Sequence, residues 1–85
     1  MSYNILIKKK AVKSLESLPQ IEIVKINECT QQLKTNPRPP KCKKLASKDE
    51  LYRIRVGNYR IIYNIQDKNL IVDIIKIGHR KSVYR

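Results

Sequence analysis

Hydrophobic and polar positions change period twice along this chain. Tyr3, Ile5 and Ile7 alternate with Asn4 and Leu6, a period of two that predicts a short strand ended by the run Lys8 to Lys10. Ala11, Leu15 and Leu18 then recur at helical spacing with Val12 beside them, while Lys10, Lys13, Ser14 and Glu16 point away. Pro19 breaks that helix and suits the first turn of another, with Glu22 near its positive end. Ile23, Ile26, Cys29 and Leu33 carry the second apolar stripe to a stop near Asn36. Pro37, Pro39 and Pro40 cannot continue a helix, so the segment to Lys48 reads as a basic loop.

From Leu51 the period becomes that of strands: LYRIRV, the turn Gly57 and Asn58, YRIIYNI, the turn QDKN, and LIVDIIKI. The order predicts an α+β domain: an N-terminal strand and two helices packed on one face of a small, mostly antiparallel four-stranded sheet. The two-residue turn fixes a register that pairs Val56 with Tyr59 and Arg55 with Arg60. By alternation Tyr52, Ile54, Val56, Tyr59, Ile61 and Tyr63 share the face that receives the helices, and Arg53, Arg55 and Arg60 share the other. There is no internal repeat and no low-complexity stretch.

Length and composition narrow this further. At 85 residues one domain is expected, spanning 1–85 and burying roughly 60 to 65% of its unfolded surface. The chain has no Trp or Phe and five Tyr, which implies a thin aliphatic core with no cavity for a buried cofactor, so no cofactor is expected. Cys29 and Cys42 stand outside any metal-ligand spacing, so no metal is expected either. The N-terminus reaches charged residues after one short apolar stretch and reads as neither signal peptide nor membrane span, which makes the cytoplasm the expected location. Charge changes the picture most: 19 Lys and Arg against 7 Asp and Glu give a net charge of +12, a surface that seeks a polyanion.

The arginine face is where that charge has a pattern. Like charges directly opposite across a strand pair are destabilising by roughly 0.2 to 1 kcal/mol, so Arg55 facing Arg60 needs a reason. Long stems that snorkel, offset by Asp73 on the next strand, supply a structural one. An anion site supplies a better one, since guanidinium groups match phosphate bidentately and keep their charge. After the last predicted strand, GHRKSVYR adds His79, Arg80, Lys81, Tyr84 and Arg85. His79 is the chain's one histidine, the residue type suited to moving protons near neutral pH, and a terminal Tyr can stack on a base. Taken singly, a solvated His and a Tyr that pins a tail to the core are equally good readings.

LYRIRVGNYRIIY followed by IGHRKSVYR, behind two helices and a basic loop, resembles the RelE toxins of the RelE/ParE superfamily over nearly the full length. The resemblance implies a type II toxin that enters the ribosomal decoding site, cuts the exposed mRNA codon without a metal, and is neutralised by a cognate antitoxin in a hetero-oligomer. It places the catalytic set on Arg53, Arg55, Arg60, Arg80 and Tyr84, and three of these already share a face by register alone. Arg55, Arg60 and Arg80 suit the phosphate, and Tyr84 the neighbouring nucleotide. Some family members have Lys in the strand pair where this chain has Arg, and Arg titrates too high for an ordinary general base. His79 is the first candidate base and Tyr84 the second, with orientation and charge alone as the third possibility. Arg38, Lys41, Lys43, Lys44, Lys48, Lys81 and Arg85 are assigned to RNA and ribosome contacts, and the excess charge predicts an acidic antitoxin. Two other functions fit the outline: a ParE-like, non-enzymatic inhibitor of DNA gyrase, and a passive RNA-binding protein.

Overall fold

The computed structural model describes residues 2–45 and 50–79. The alternating C-terminal half forms three antiparallel strands, β3 (Leu51–Val56), β4 (Tyr59–Gln66) and β5 (Ile71–His79). Ahead of them come β1 (Asn4–Ile7), α1 (Lys9–Glu16), α2 (Gln20–Leu33) and the two-residue β2 (Lys43–Lys44). The sheet order is β1-β5-β4-β3-β2, with β1 parallel to β5 and every other pair antiparallel. The sheet therefore has five strands where the periodicity predicts four. Two residues are too few to show a period, and Lys43 and Lys44 become a strand only because β3 lies beside them.

Helix α2 starts and stops for local reasons. Pro19 caps α2 in an extended conformation (φ −57°, ψ 147°), and its carbonyl accepts the N–H groups of Glu22 at 2.9 Å and Ile23 at 3.1 Å. The regular part of α2 ends at Leu33, three residues before Asn36, because its last turn tightens: Thr35 and Asn36 both donate to the Gln32 carbonyl, at 3.2 and 3.1 Å. The Tyr3 N–H then bonds the Lys34 carbonyl at 2.8 Å, tying the entry to β1 to the end of α2.

The helices bury Ala11, Ile26 and Leu33 against Tyr52, Ile54, Ile61, Tyr63, Ile65, Val72, Ile74 and Ile77 of the sheet. This is the face that alternation assigns to the core. Leu15, Leu18, Cys29, Val56 and Tyr59 pack around it half-buried, whereas Val12 turns outward. Tyr63 is fully buried, and its hydroxyl donates to the Pro37 carbonyl at 2.8 Å, which holds the proline segment against the sheet. Burial pushes this phenol well above its ordinary range, so it remains a donor.

Two irregularities position the far face. The turn residue Gly57 has φ +60°, as the first central residue of a type II′ hairpin requires, and that turn locks Val56 to Tyr59 and Arg55 to Arg60. A bulge interrupts the β4–β5 ladder: Ile62 pairs with Lys76 but Tyr63 pairs with Ile74, leaving Ile75 as the extra residue. Val72 and Ile74 face the helices before the bulge and Ile77 does so after it. Lys76 consequently emerges on the side opposite the helices.

Candidate functional site

The helix-free face is built from the register. Arg53 stands opposite Ile62, Arg55 opposite Arg60, and Arg60 opposite Gly78 on its other side. Lys43 pairs with Arg53 and Lys76 with Ile62, so both join the same face. Among the described strand residues, five cations from four strands thus share one surface, three of them arginines. Ile62 is only 9% exposed although it faces away from both described helices. Its neighbours in register, Arg53 and Lys76, are placed to lay their aliphatic stems over it.

The carboxylate expected to offset the arginines does not do so. Asp73 lies on this face but is paired across β4 with Asn64, several residues from Arg60, and its carboxylate binds Lys8 at 3.3 Å. On the other flank of Arg60 stands Gly78, which has no side chain. Among the described residues the end of the sheet nearest the hairpin therefore carries arginines with no carboxylate in register, and planar guanidinium groups are suited to bidentate recognition of a phosphate.

His79 is not brought to this face. It pairs with Tyr59 and lies edge-on to that ring, with centroids 5.7 Å apart, on the side occupied by Ile61 and Ile77. Alternation gives the arginine side to Gly78 and the next position to the other side. Arg80, Lys81, Tyr84 and Arg85, all assigned to the site from the sequence, fall outside the described residues, as does Lys48 of the basic segment. Lys76 is the site residue that sequence reasoning missed. Its signal was the adjacent pair Ile74 and Ile75, two apolar residues in succession, which is how a bulge reads in an alternating strand.

The basic segment divides by role. Arg38 is committed to the structure: its guanidinium donates to both Asp67 carboxylate oxygens at 2.8 and 3.1 Å and to the Tyr52 hydroxyl at 3.0 Å, and it lies over the Tyr52 ring. Glu50 completes the cluster by accepting from Tyr52 at 2.9 Å and from Lys44 at 3.2 Å. These contacts clamp the proline segment to the β4–β5 turn and occupy the donors that a phosphate would need. Lys41 and Lys43 remain exposed.

The Asp67 carboxyl is held at about 2, below its ordinary 3.8, mainly by Arg38 and then by the Tyr3 hydroxyl. Glu50 is also lowered, by the Tyr52 hydroxyl first and Lys44 second. A carboxyl depressed in the folded state adds stability above its unfolded pKa and loses it as pH falls through the folded value. The clamp is thus fully present above about pH 4 and released between about pH 4 and 2. Because the carboxylates are exposed, the effect shrinks with salt. Acid unfolding at low ionic strength should show this extra loss in the wild type and not in Asp67→Asn. Parallel curves for the two proteins across that window would contradict the assignment.

The fold and its cationic face mark a class of small toxins, and comparison with known proteins gives the same answer. Residues 5–84 match the family described as the ParE toxin of type II toxin-antitoxin systems, parDE, so the chain belongs to the RelE/ParE superfamily. The chain is 36% identical to the RelE1 protein of Methanocaldococcus jannaschii, an alignment that covers 100% of this chain and 98% of that one. Toxin RelE3 of the same organism is 34% identical over 94% of this chain and 93% of its own. A chain of the archaeal RelE–RelB complex from Pyrococcus horikoshii OT3 superimposes with a TM-score of 0.86 at 34% identity, covering 98% of this chain and 100% of that one. The chain is accordingly a RelE-like toxin of the type II class.

Proposed function

We propose that this chain is a ribosome-dependent endoribonuclease that cleaves mRNA in the decoding site and is silenced by an acidic antitoxin. The observation that supports it most is Arg55 directly opposite Arg60, beside Arg53 and Lys76, on the sheet face opposite the two described helices. In the reaction the ribose 2′-hydroxyl loses its proton and attacks the adjacent phosphorus. The dianionic phosphorane then expels the 5′-oxygen, which takes up a proton, leaving a 2′,3′-cyclic phosphate. Arg55 and Arg60 stabilise the phosphorane, where charge develops. Arg53 and Lys76 orient the flanking backbone. Arg80 and Tyr84 join this set through the family resemblance. With His79 on the other face, proton transfer falls to Tyr84 or to a weak acceptor acting through orientation.

The acidic antitoxin follows from the +12 charge, and the matched complex from Pyrococcus horikoshii pairs RelE with RelB. A second reading, a ParE-like gyrase inhibitor, is favoured by the description of the matched family. Primer extension on mRNA bound to purified ribosomes, run beside a gyrase supercoiling assay, separates the two. New 5′ ends within the decoding-site codon, read as shortened extension products, support the nuclease; lost supercoiling with intact mRNA overturns it.

The exposed lysines of the basic segment are assigned to nonspecific contacts with ribosomal RNA. Replacing Lys41 and Lys43 with Gln should weaken ribosome association and lower its salt slope by up to about one unit per lost phosphate contact. Lys44 should matter less, because it is bound to Glu50. Cosedimentation across a salt series reads both effects, and an unchanged slope would return the two lysines to ordinary solvated surface.

A further inference from the structure

Strand β2 stops short. In its observed register a longer β2 would set Cys42, Lys41 and Pro40 against Ile54, Arg55 and Val56, yet it pairs only with Arg53 and Tyr52. Consecutive prolines cannot extend a ladder, since neither donates an N–H. The chain instead turns at Pro39, whose carbonyl accepts the Cys42 N–H at 2.9 Å. A groove of about 440 Å³ opens where the missing strand would run, between α2 and the edge of β3.

Hairpin closure decides which main-chain groups face that groove. The two-residue turn makes Val56 and Tyr59 a hydrogen-bonded pair, and two residues on Ile54 and Ile61 form the next. Arg55, lying between them, therefore directs its N–H and C=O away from β4 and toward the groove. Among the described residues no strand lies on that side of it. The walls are mixed: Ile54, Val56 and Cys29 are apolar, and Lys25 and Lys41 outnumber the single carboxylate Glu28 among the lining residues. One turn before Lys25 on the same helical stripe, Ile21 is 65% exposed, a large apolar side chain with nothing over it among the described residues.

We propose that this groove receives a short extended segment of the antitoxin, which adds to the sheet as a strand alongside Arg55, sets an acidic side chain between Lys25 and Lys41, and covers Ile21. The proposal rests on the toxin–antitoxin reading above and names the surface and the chemistry of the partner. A peptide fits because the edge offers one donor and one acceptor in ladder geometry. RNA phosphate brings acceptors only and would face the Arg55 carbonyl. The chain's own residues 80–85 carry Arg80, Lys81 and Arg85, the same sign as the groove.

The test uses the full chain, tagged and coexpressed with its native operon, and the complex that copurifies. In the complex the Arg55 amide should exchange about a hundredfold more slowly than in the free toxin, while Ile54 and Val56, already bonded to β4, change less. Lys25→Glu with Lys41→Glu should weaken antitoxin binding about tenfold or more at low salt, and the same charge change at Lys13 and Lys68 should cost much less. An intact complex with unprotected Arg55 overturns the proposal and leaves the toxin–antitoxin reading standing. Absence of any copurifying partner defeats that reading and the proposal together. Protection by a short single-stranded RNA, and not by the antitoxin, reassigns the groove to nucleic acid.

Discussion

Arg60→Ala is expected to slow single-turnover cleavage of ribosome-bound mRNA by about a hundredfold or more, the usual cost of removing one donor from a developing oxyanion. Its folding stability should stay within about 1 kcal/mol of the wild type, because relief of the Arg55–Arg60 repulsion across the hairpin offsets part of what this half-buried side chain loses. A variant that folds nearly as well and cuts far worse is diagnostic. Arg60→Lys should restore only part of the rate, since a point charge cannot reproduce the two-pronged donor. Thermal unfolding and quench-flow cleavage on the same preparations decide it. A stable Arg60→Ala protein with the wild-type rate would remove Arg60 from the mechanism, and an unfolded one would make it structural.

Leu33→Ala should cost about 2 to 5 kcal/mol, the range for truncating a buried leucine. Leu33 has no exposed surface and closes the core at the end of α2, one residue before the carbonyl that anchors Tyr3. For a chain of this size that is a fall in Tm on the order of 10 °C or more, large against the marginal stability of small domains. Ile21→Ala removes an aliphatic side chain from the same helix but should shift Tm little, because Ile21 is 65% exposed. Calorimetry on both variants tests this, and similar losses for the two would mean that Ile21 is held down by contacts absent from the described fold.

How far the site could be read without a structure depends on the range of the interactions that fix each residue. The pairing of Arg55 with Arg60 was legible because a two-residue turn sets it within the hairpin itself. Arg38 was not. Its partners Asp67 and Glu50 lie 29 and 12 residues away, and in the sequence it looks like one more cation in a basic run. The sheet face of His79 was not legible for a related reason: closeness along the chain to Arg80 and Lys81 says nothing about it, and its pairing with Tyr59 decides it.

The sequence by itself determined the α+β class, the two helices, the three-strand meander and the apolar face of β3 and β4, because each follows from a local period of side chains. It also determined the net charge of +12. Only the tertiary structure decided that Lys43 and Lys44 form a fifth strand, that a bulge turns Lys76 onto the arginine face, and that Arg38 serves as a clamp. Each of these depends on which distant segment lies alongside, and two hydrogen-bonded residues or one extra residue in a strand leave almost no periodic trace. Burial and strand pairing supply that information through non-local packing, which no stretch of a few residues carries.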